Sequence, residues 1–362
     1  MFNKIIKTLL IATSLLTATT VSAASEKAPA AAKDNDGLLS MPKISGYLQA
    51  GYSYGDKHAG NKSTFQMKRM RLFMTKKIND TFDFKTQLEL FGGSKDQHGK
   101  SLITVMDAYF NAHVSKAVNF RLGQYFLPFG FENFDISPAT LEVINFSNIC
   151  YRMICRNSIS YPDVIDYGRD AGVMIYGDLF HNEDKDFDFM SYQLSVTNGR
   201  LPLTVDDNKS KDITGRLTIR PVKNLRIIGS YNYGETPNAV NKHNKQQRYG
   251  FGAWYFEPAG LTLRGEYAAI HSATDQGNIN EKAAYLLAGY RFGKVLPVVR
   301  YEMYRDTKRK ASAINKDQIL AGVSYEFNKA VKFQLNYSYN MYTDDVDSKD
   351  GSGIDIMAIV KF

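Results

Sequence analysis

The strongest constraint on this chain is a two-residue periodicity that recurs along its length. At 331–341, Val331, Phe333, Leu335, Tyr337, Tyr339 and Met341 alternate without a break against Lys332, Gln334, Asn336, Ser338 and Asn340. A helix repeats every ~3.6 residues and would scatter the two sets, whereas an extended strand points successive side chains to opposite faces. The last nine residues repeat the pattern, with Ile354, Ile356, Ala358, Val360 and Phe362 set against Asp355, Met357, Ile359 and Lys361. One such strand also suits a soluble sandwich. The number of recurrences, and what separates them, decides the class.

About sixteen alternating segments of about ten residues follow one another, the length and even number that suit strands crossing a bilayer. They lie near 44–54, 64–77, 82–91, 102–114, 118–127, 167–179, 187–197, 212–220, 225–233, 248–256, 261–271, 282–292, 295–305, 318–327, 331–341 and 354–362. Tight connections at 79–80, 115–117, 221–224, 258–260, 293–294 and 328–330 alternate with long polar ones at 55–63, 92–101, 128–166, 198–211, 234–247, 272–281, 306–317 and 342–353. The connection at 181–186 belongs to the short series and is of middling length. Tight turns at one end and long loops at the other mark an up-and-down barrel with its apolar face toward lipid. A soluble sandwich has no reason to keep that rhythm. The fold class expected is therefore all-β, a transmembrane antiparallel up-and-down barrel of about 16 strands.

The N-terminus supports export. Lys4 and Lys7 precede an apolar run at 9–16, and Val21-Ser22-Ala23 offers a small-residue cleavage site, so 1–23 reads as a signal peptide. Residues 24–43 read as a flexible periplasmic lead-in, and 44–362 as the barrel, with both chain ends at the periplasmic rim. No later stretch approaches the ~18 consecutive apolar residues of a spanning helix. Twenty-three tyrosines and 22 phenylalanines suit aromatic girdles near strand ends, as at Tyr231, Tyr233, Tyr325 and Phe327, although ordinary cross-strand packing would also use them.

Applied to charge, the same alternation assigns Arg69, Arg71, Lys85, Arg121, Arg216, Arg220, Arg226, Arg248, Arg264, Arg291, Arg300 and Lys332 to the inner face. Asp83, Glu89, Asp107, Glu266, Glu302, Glu326 and Asp355 stand opposite them. Cations outnumber anions, and charges lining a narrow low-dielectric passage focus potential along it, which favours anions. Arg69 with Arg71 and Arg216 with Arg220 stand out because each pair repeats at i, i+2 or i, i+4 on one face. The competing reading is structural, with Arg264–Glu266 and Arg300–Glu302 as ion-pair ladders in the wall. The formal net charge of +8 is spread through the strands rather than gathered in a patch, which argues against nucleic acid as a partner.

The connection at 128–166 is too long for a hairpin loop and carries Leu141, Val143, Ile144, Phe146, Ile149 and Ile154 beside Arg152 and Arg156. Loops of that length in a compact body are functional or disordered. Its apolar content favours packing, so this third loop is expected to fold into the lumen as a constriction. The two cysteines, Cys150 and Cys155, lie within it and could close a small ring in an oxidising compartment, remain free thiols, or, more weakly, bind metal. Enzyme motifs fail on context. Gly51-Tyr52-Ser53-Tyr54-Gly55 has nucleophile-elbow spacing but ends a strand and enters a polar loop, and Gly99-Lys100-Ser101 lacks the first glycine and the helix of a phosphate-binding loop. The acidic stretch at 344–350 lacks a full calcium-loop pattern and reads as solvated surface, with lipopolysaccharide bridged through divalent ions as an alternative. No cofactor and no resident metal are expected.

At Arg121-Leu122-Gly123-Gln124-Tyr125-Phe126-Leu127-Pro128-Phe129-Gly130 the chain resembles the phosphate-selective porins of the O and P type. Arg69-Met70-Arg71-Leu72, Asp107-Ala108-Tyr109, Arg169-Asp170-Ala171-Gly172-Val173 and Gly215-Arg216-Leu217 carry the resemblance further. It implies a sixteen-stranded outer-membrane barrel, trimeric, with a third loop narrowing the pore and basic residues guiding anions. Where that pattern often places a lysine before the proline, this chain has Phe126-Leu127, which leaves phosphate one among several small anions. Partners expected are outer-membrane lipid and lipopolysaccharide and small anionic or polar solutes. The alternatives are a pore for neutral solutes such as sugars, using Gln87, Tyr109 and Asn336, and a non-conducting barrel that is an adhesin or an enzyme.

Overall fold

The computed structural model describes residues 41–362 apart from 57–61, 92–102, 155–167, 200–208, 237–243, 274–277, 307–314 and 344–349. The expectations for a signal peptide and lead-in fall largely on residues 1–40, outside the described residues.

Sixteen strands close into one all-antiparallel barrel in chain order. They are β1 (Lys43–Gly55), β2 (Lys62–Lys77), β3 (Phe82–Phe91), β4 (Thr104–His113), β5 (Asn119–Phe126), β6 (Arg169–Asn182), β7 (Phe187–Thr197) and β8 (Asp212–Val222), then β9 (Leu225–Thr236), β10 (Asn244–Phe256), β11 (Leu261–Ser272), β12 (Ile279–Tyr290), β13 (Val295–Asp306), β14 (Lys316–Glu326), β15 (Val331–Tyr342) and β16 (Gly351–Lys361). Each strand pairs with its neighbours in sequence, and among the described strands the one pairing distant in sequence is the seam between β1 and β16, in register from Tyr47↔Lys361 to Gly55↔Gly353. At the seam's end Gly46 and Phe362 exchange backbone hydrogen bonds of 2.9 and 3.1 Å. The Phe362 ring lies where a side chain at Gly46 would go.

Tight turns are closed by the side chains their sequences supply. Asn79 Oδ1 accepts the N–H groups of Thr81 (2.9 Å) and Phe82 (2.8 Å), and Asn328 Oδ1 accepts those of Ala330 and Val331, both at 2.8 Å. These Asx turns are a low-cost way to reverse an extended chain. Gly293, at φ +58°, permits the two-residue turn between β12 and β13. The middling connection is a turn at 183–186.

Burial is inverted relative to a soluble sheet. On β15, Phe333, Leu335 and Tyr337 are 46, 44 and 48% exposed, while Gln334 and Asn336 are each 2% exposed. An unpartnered apolar face of this kind on every strand needs lipid as its solvent. Among the described residues no helix is long and apolar enough to cross a membrane.

Candidate functional site: the charged inner wall and the segment 127–154

The chain leaves β5 at its long-loop end and runs through residues 127–154, which contain one turn of α-helix, α1 (Phe131–Phe134), and a π-helical turn at Ile149–Ile154. Two forces seat this segment. Phe129, Phe131, Ile136, Leu141, Val143, Ile149, Met153 and Ile154 form one buried cluster with wall residues that include Ile228, Ala268, Ile270, Ala283, Leu287, Leu296, Val298 and Leu320. The inner faces of β11 to β13 are therefore partly apolar. Their sequences show it: Ala283-Ala284-Tyr285-Leu286-Leu287-Ala288 breaks the alternation because both faces are covered, one by this segment.

The second force is charge. Arg264 donates through Nη1 and Nη2 to the two carboxylate oxygens of Glu142, both at 2.8 Å, and its Nε donates to the Tyr285 hydroxyl at 3.0 Å. Burial works against the Glu142 charge, but the Arg264 guanidinium outweighs it and holds the carboxyl below the usual carboxylate range. Glu132 lies 3.6 Å from Arg264 and 3.7 Å from Arg300, and accepts the Ser147 N–H at 2.6 Å. Glu266 accepts the N–H groups of Phe131 (2.8 Å) and Glu132 (3.2 Å), satisfying donors that a one-turn helix leaves open. Glu302 accepts the Asn148 N–H at 3.1 Å, and Asn336 the Ile144 N–H at 2.7 Å. Lys332 Nζ donates to the Leu141 carbonyl at 2.9 Å.

The same segment reaches the strands at the seam. Ala139 packs with Tyr47 and Ile359, Asn145 hydrogen-bonds Lys68 and Asp355, and Tyr151 accepts from Arg69 at 2.9 Å. Lys68 is in reach because a bulge in β2 opposite Gln49/Ala50 breaks the strict alternation. Sequence periodicity alone places Lys68 outside.

The residues singled out in the sequence divide by partner. Arg71 pairs with Glu89 at 2.7 Å, Arg216 with Asp135 of the segment, and Arg291 with Glu326 at 3.1 Å. Lys85 (2.9 Å) and Arg169 (2.5 Å) share Asp107. Arg169 is a wall cation that alternation did not single out. Its guanidinium lies 3.5 Å from the centre of the Phe126 ring. Arg264 pairs with Glu142 rather than with Glu266, and Arg300 lies 3.7 Å from Glu302 and donates to the Asn145 carbonyl at 2.8 Å. Arg248 is held by Gln246 and the Ile154 carbonyl.

Among the described residues, Lys332 and the wall arginines Arg69, Arg121, Arg220 and Arg226 have no carboxylate within ion-pair distance. Arg69 is held by Gln49 (2.8 Å) and Tyr151, and Arg121 by Asn111 (2.8 Å). Arg220 is held by Ser191 (2.8 Å) and the Asp188 carbonyl (3.2 Å), and Arg226 lies over Trp254 at 5.3 Å. Arg121, Arg220 and Arg226 lie toward the tight-turn end of the barrel.

Cys150 is buried in the π-helical turn. Cys155, Arg156 and the side chain of Arg152 lie outside the described residues, as do 99–101 and most of the acidic stretch at 344–350. Ser53 sits within β1 and donates to Asp355, without the strand–turn–helix geometry of a nucleophile elbow. Among the described residues no group of three or more His, Cys, Asp or Glu side chains could hold a metal ion.

Residues 162–356 match the Gram-negative porin family, and residues 43–142 match the family of phosphate-selective porins O and P. Similar solved structures include OmpF of Salmonella typhi in complex with daunomycin, 14% identical over 91% of this chain and 99% of that one, with a TM-score of 0.64. OmpT of Vibrio cholerae in its trimer form is 12% identical over 89% and 99% of the two chains, with a TM-score of 0.59. At such identities the likeness is one of fold. No curated protein matches the chain.

Proposed function

The chain belongs to the Gram-negative porin family, and from that premise we propose that this outer-membrane porin passes small hydrophilic solutes with a preference for anions. The observation that carries the reading is the partner account of the wall. Glu89, Asp107, Asp135, Glu142 and Glu326 each pair with a cation, whereas Arg69, Arg121, Arg220, Arg226 and Lys332 have no carboxylate within ion-pair distance among the described residues. Unmatched positive charge on a confined aqueous wall raises the local concentration of anions. In this reading Arg264 and Arg300 anchor the segment that narrows the passage, and Arg121, Arg220 and Arg226 select.

Reversal potentials across a KCl gradient in planar bilayers test it. The wild type is expected to prefer chloride, and Arg220→Gln with Arg226→Gln to lose much of that preference. A potassium-preferring wild type would overturn the anion reading, and an unchanged double variant would return Arg220 and Arg226 to wall structure. We place the chain ends and tight turns on the periplasmic side and the long loops, with lipopolysaccharide around them, outside. The family and the trimer form of the similar Vibrio cholerae protein support a homotrimer.

A further inference from the structure

Beside the segment described above, the inner wall carries an ordered series of aromatic and cationic side chains. Phe73 on β2, Lys85 on β3, Tyr109 on β4, Arg121 on β5 and Tyr176 on β6 occupy inward positions on five consecutive strands, alternating aromatic and cationic. Lys85 Nζ is 5.7 Å from the centre of the Phe73 ring and 5.9 Å from that of Tyr109, and the Arg121 guanidinium carbon is 4.1 Å from Tyr109 and 5.3 Å from Tyr176. All five are half-buried; Phe73 also packs against the cluster of Tyr47, Ala139 and Ile359.

Arg121 is the centre of this strip. Its Nε donates to Asn111 Oδ1 at 2.8 Å, which fixes the guanidinium between rings from the two flanking strands. The nearby acid, Asp83, is taken by Asn111 and His113, both at 2.6 Å. The position across from Tyr109 is Gly123, at φ +126°, where a Cβ would meet the Ala108 carbonyl oxygen at 2.2 Å, so the wall beside the ring has no side chain. A planar fork of donors held between aromatic faces matches a planar carboxylate, bound in the plane of the guanidinium and continued by a flat ring that rests against the tyrosines.

We propose that the strip from Phe73 to Tyr176 is a binding station for small aromatic carboxylates, with Arg121 taking the carboxylate and Tyr109 and Tyr176 the ring. The proposal rests on the reading of the barrel as a conducting, anion-preferring pore and names the solute class that pore would favour. It separates solutes of equal charge by shape, which charge alone cannot do. Arg121→Lys keeps the charge and loses the planar fork, and Tyr109→Leu keeps the apolar bulk and loses the ring.

The test compares benzoate with cyclohexanecarboxylate, equal in charge and close in size, as blockers of chloride current through the wild-type channel. Benzoate is expected to block at a roughly three- to tenfold lower concentration, the range an aromatic pair contributes. Arg121→Lys and Tyr109→Leu should each bring the blocking concentrations of the two acids together. Titration calorimetry of both acids into detergent-solubilised wild-type protein reads the same preference without current, so a failure of the pore reading leaves the strip testable. Equal affinity for the two acids in the wild type, or a preference untouched by both substitutions, would overturn the proposal.

Discussion

Glu142 and Arg264 carry most of what one pair can do for the segment 127–154, because both are buried and the bond is bidentate. Such a pair is costly to break from one side: Glu142→Ala leaves a guanidinium in a dry site, and about 3–5 kcal/mol of stability is expected to go with it. Glu142→Leu combined with Arg264→Met should recover part of the loss, the rest being the cost of leaving Glu132 and the Tyr285 hydroxyl without the guanidinium. Urea unfolding in micelles compares the three proteins. The pair also sets a pH dependence. A carboxyl whose folded pKa is depressed stabilises above its unfolded value and loses that contribution as pH falls through the folded one. Channel noise from the loosened segment is therefore expected only once the pH drops below the ordinary carboxylate range, and Glu142→Gln should be noisy at neutral pH as well. None of this was legible in the sequence, because the two residues are 122 positions apart and each has a nearer partner of opposite sign to suggest.

Strands were legible because their signal is local. The β15 alternation is visible in eleven consecutive residues, and no distant contact is needed to choose its lipid face. What sequence could not show is where the alternation is broken for a reason. In β2 the bulge brings Lys68 to Asn145, and a bulge leaves no mark on a polar–apolar pattern that a single residue can satisfy either way. In β12 the adjacent Leu286 and Leu287 read alike, yet Leu286 is 61% exposed on the outside and Leu287 is fully buried under the segment. They offer a direct comparison. Leu287→Ala opens a cavity in packed protein and is expected to cost about 2–5 kcal/mol, whereas Leu286→Ala faces fluid lipid that can fill the gap and should cost far less. Unfolding in lipid vesicles distinguishes them, and equal costs would mean that the inner face of β12 is not packed.

At the scale of the whole molecule, the inner wall is divided. The faces of β9 to β14 work as protein core for the segment 127–154, and its acids Glu132, Asp135 and Glu142 neutralise wall arginines that a count of charges in the strands would assign to the solute. Arg121, Arg220 and Arg226 lie toward the tight-turn end of the barrel, on β5, β8 and β9. The sequence therefore showed the barrel and its strand order, and missed how much of the inner wall the protein covers itself. The claim underneath is that alternate residues meet different solvents. Single cysteines carrying an environment-sensitive fluorophore at 333, 334, 335, 336 and 337, read in vesicles with a quencher attached to the lipid chains, test it most directly. Strong quenching at 333, 335 and 337 with little at 334 and 336 is the expected result. Uniform or inverted quenching would contradict the account.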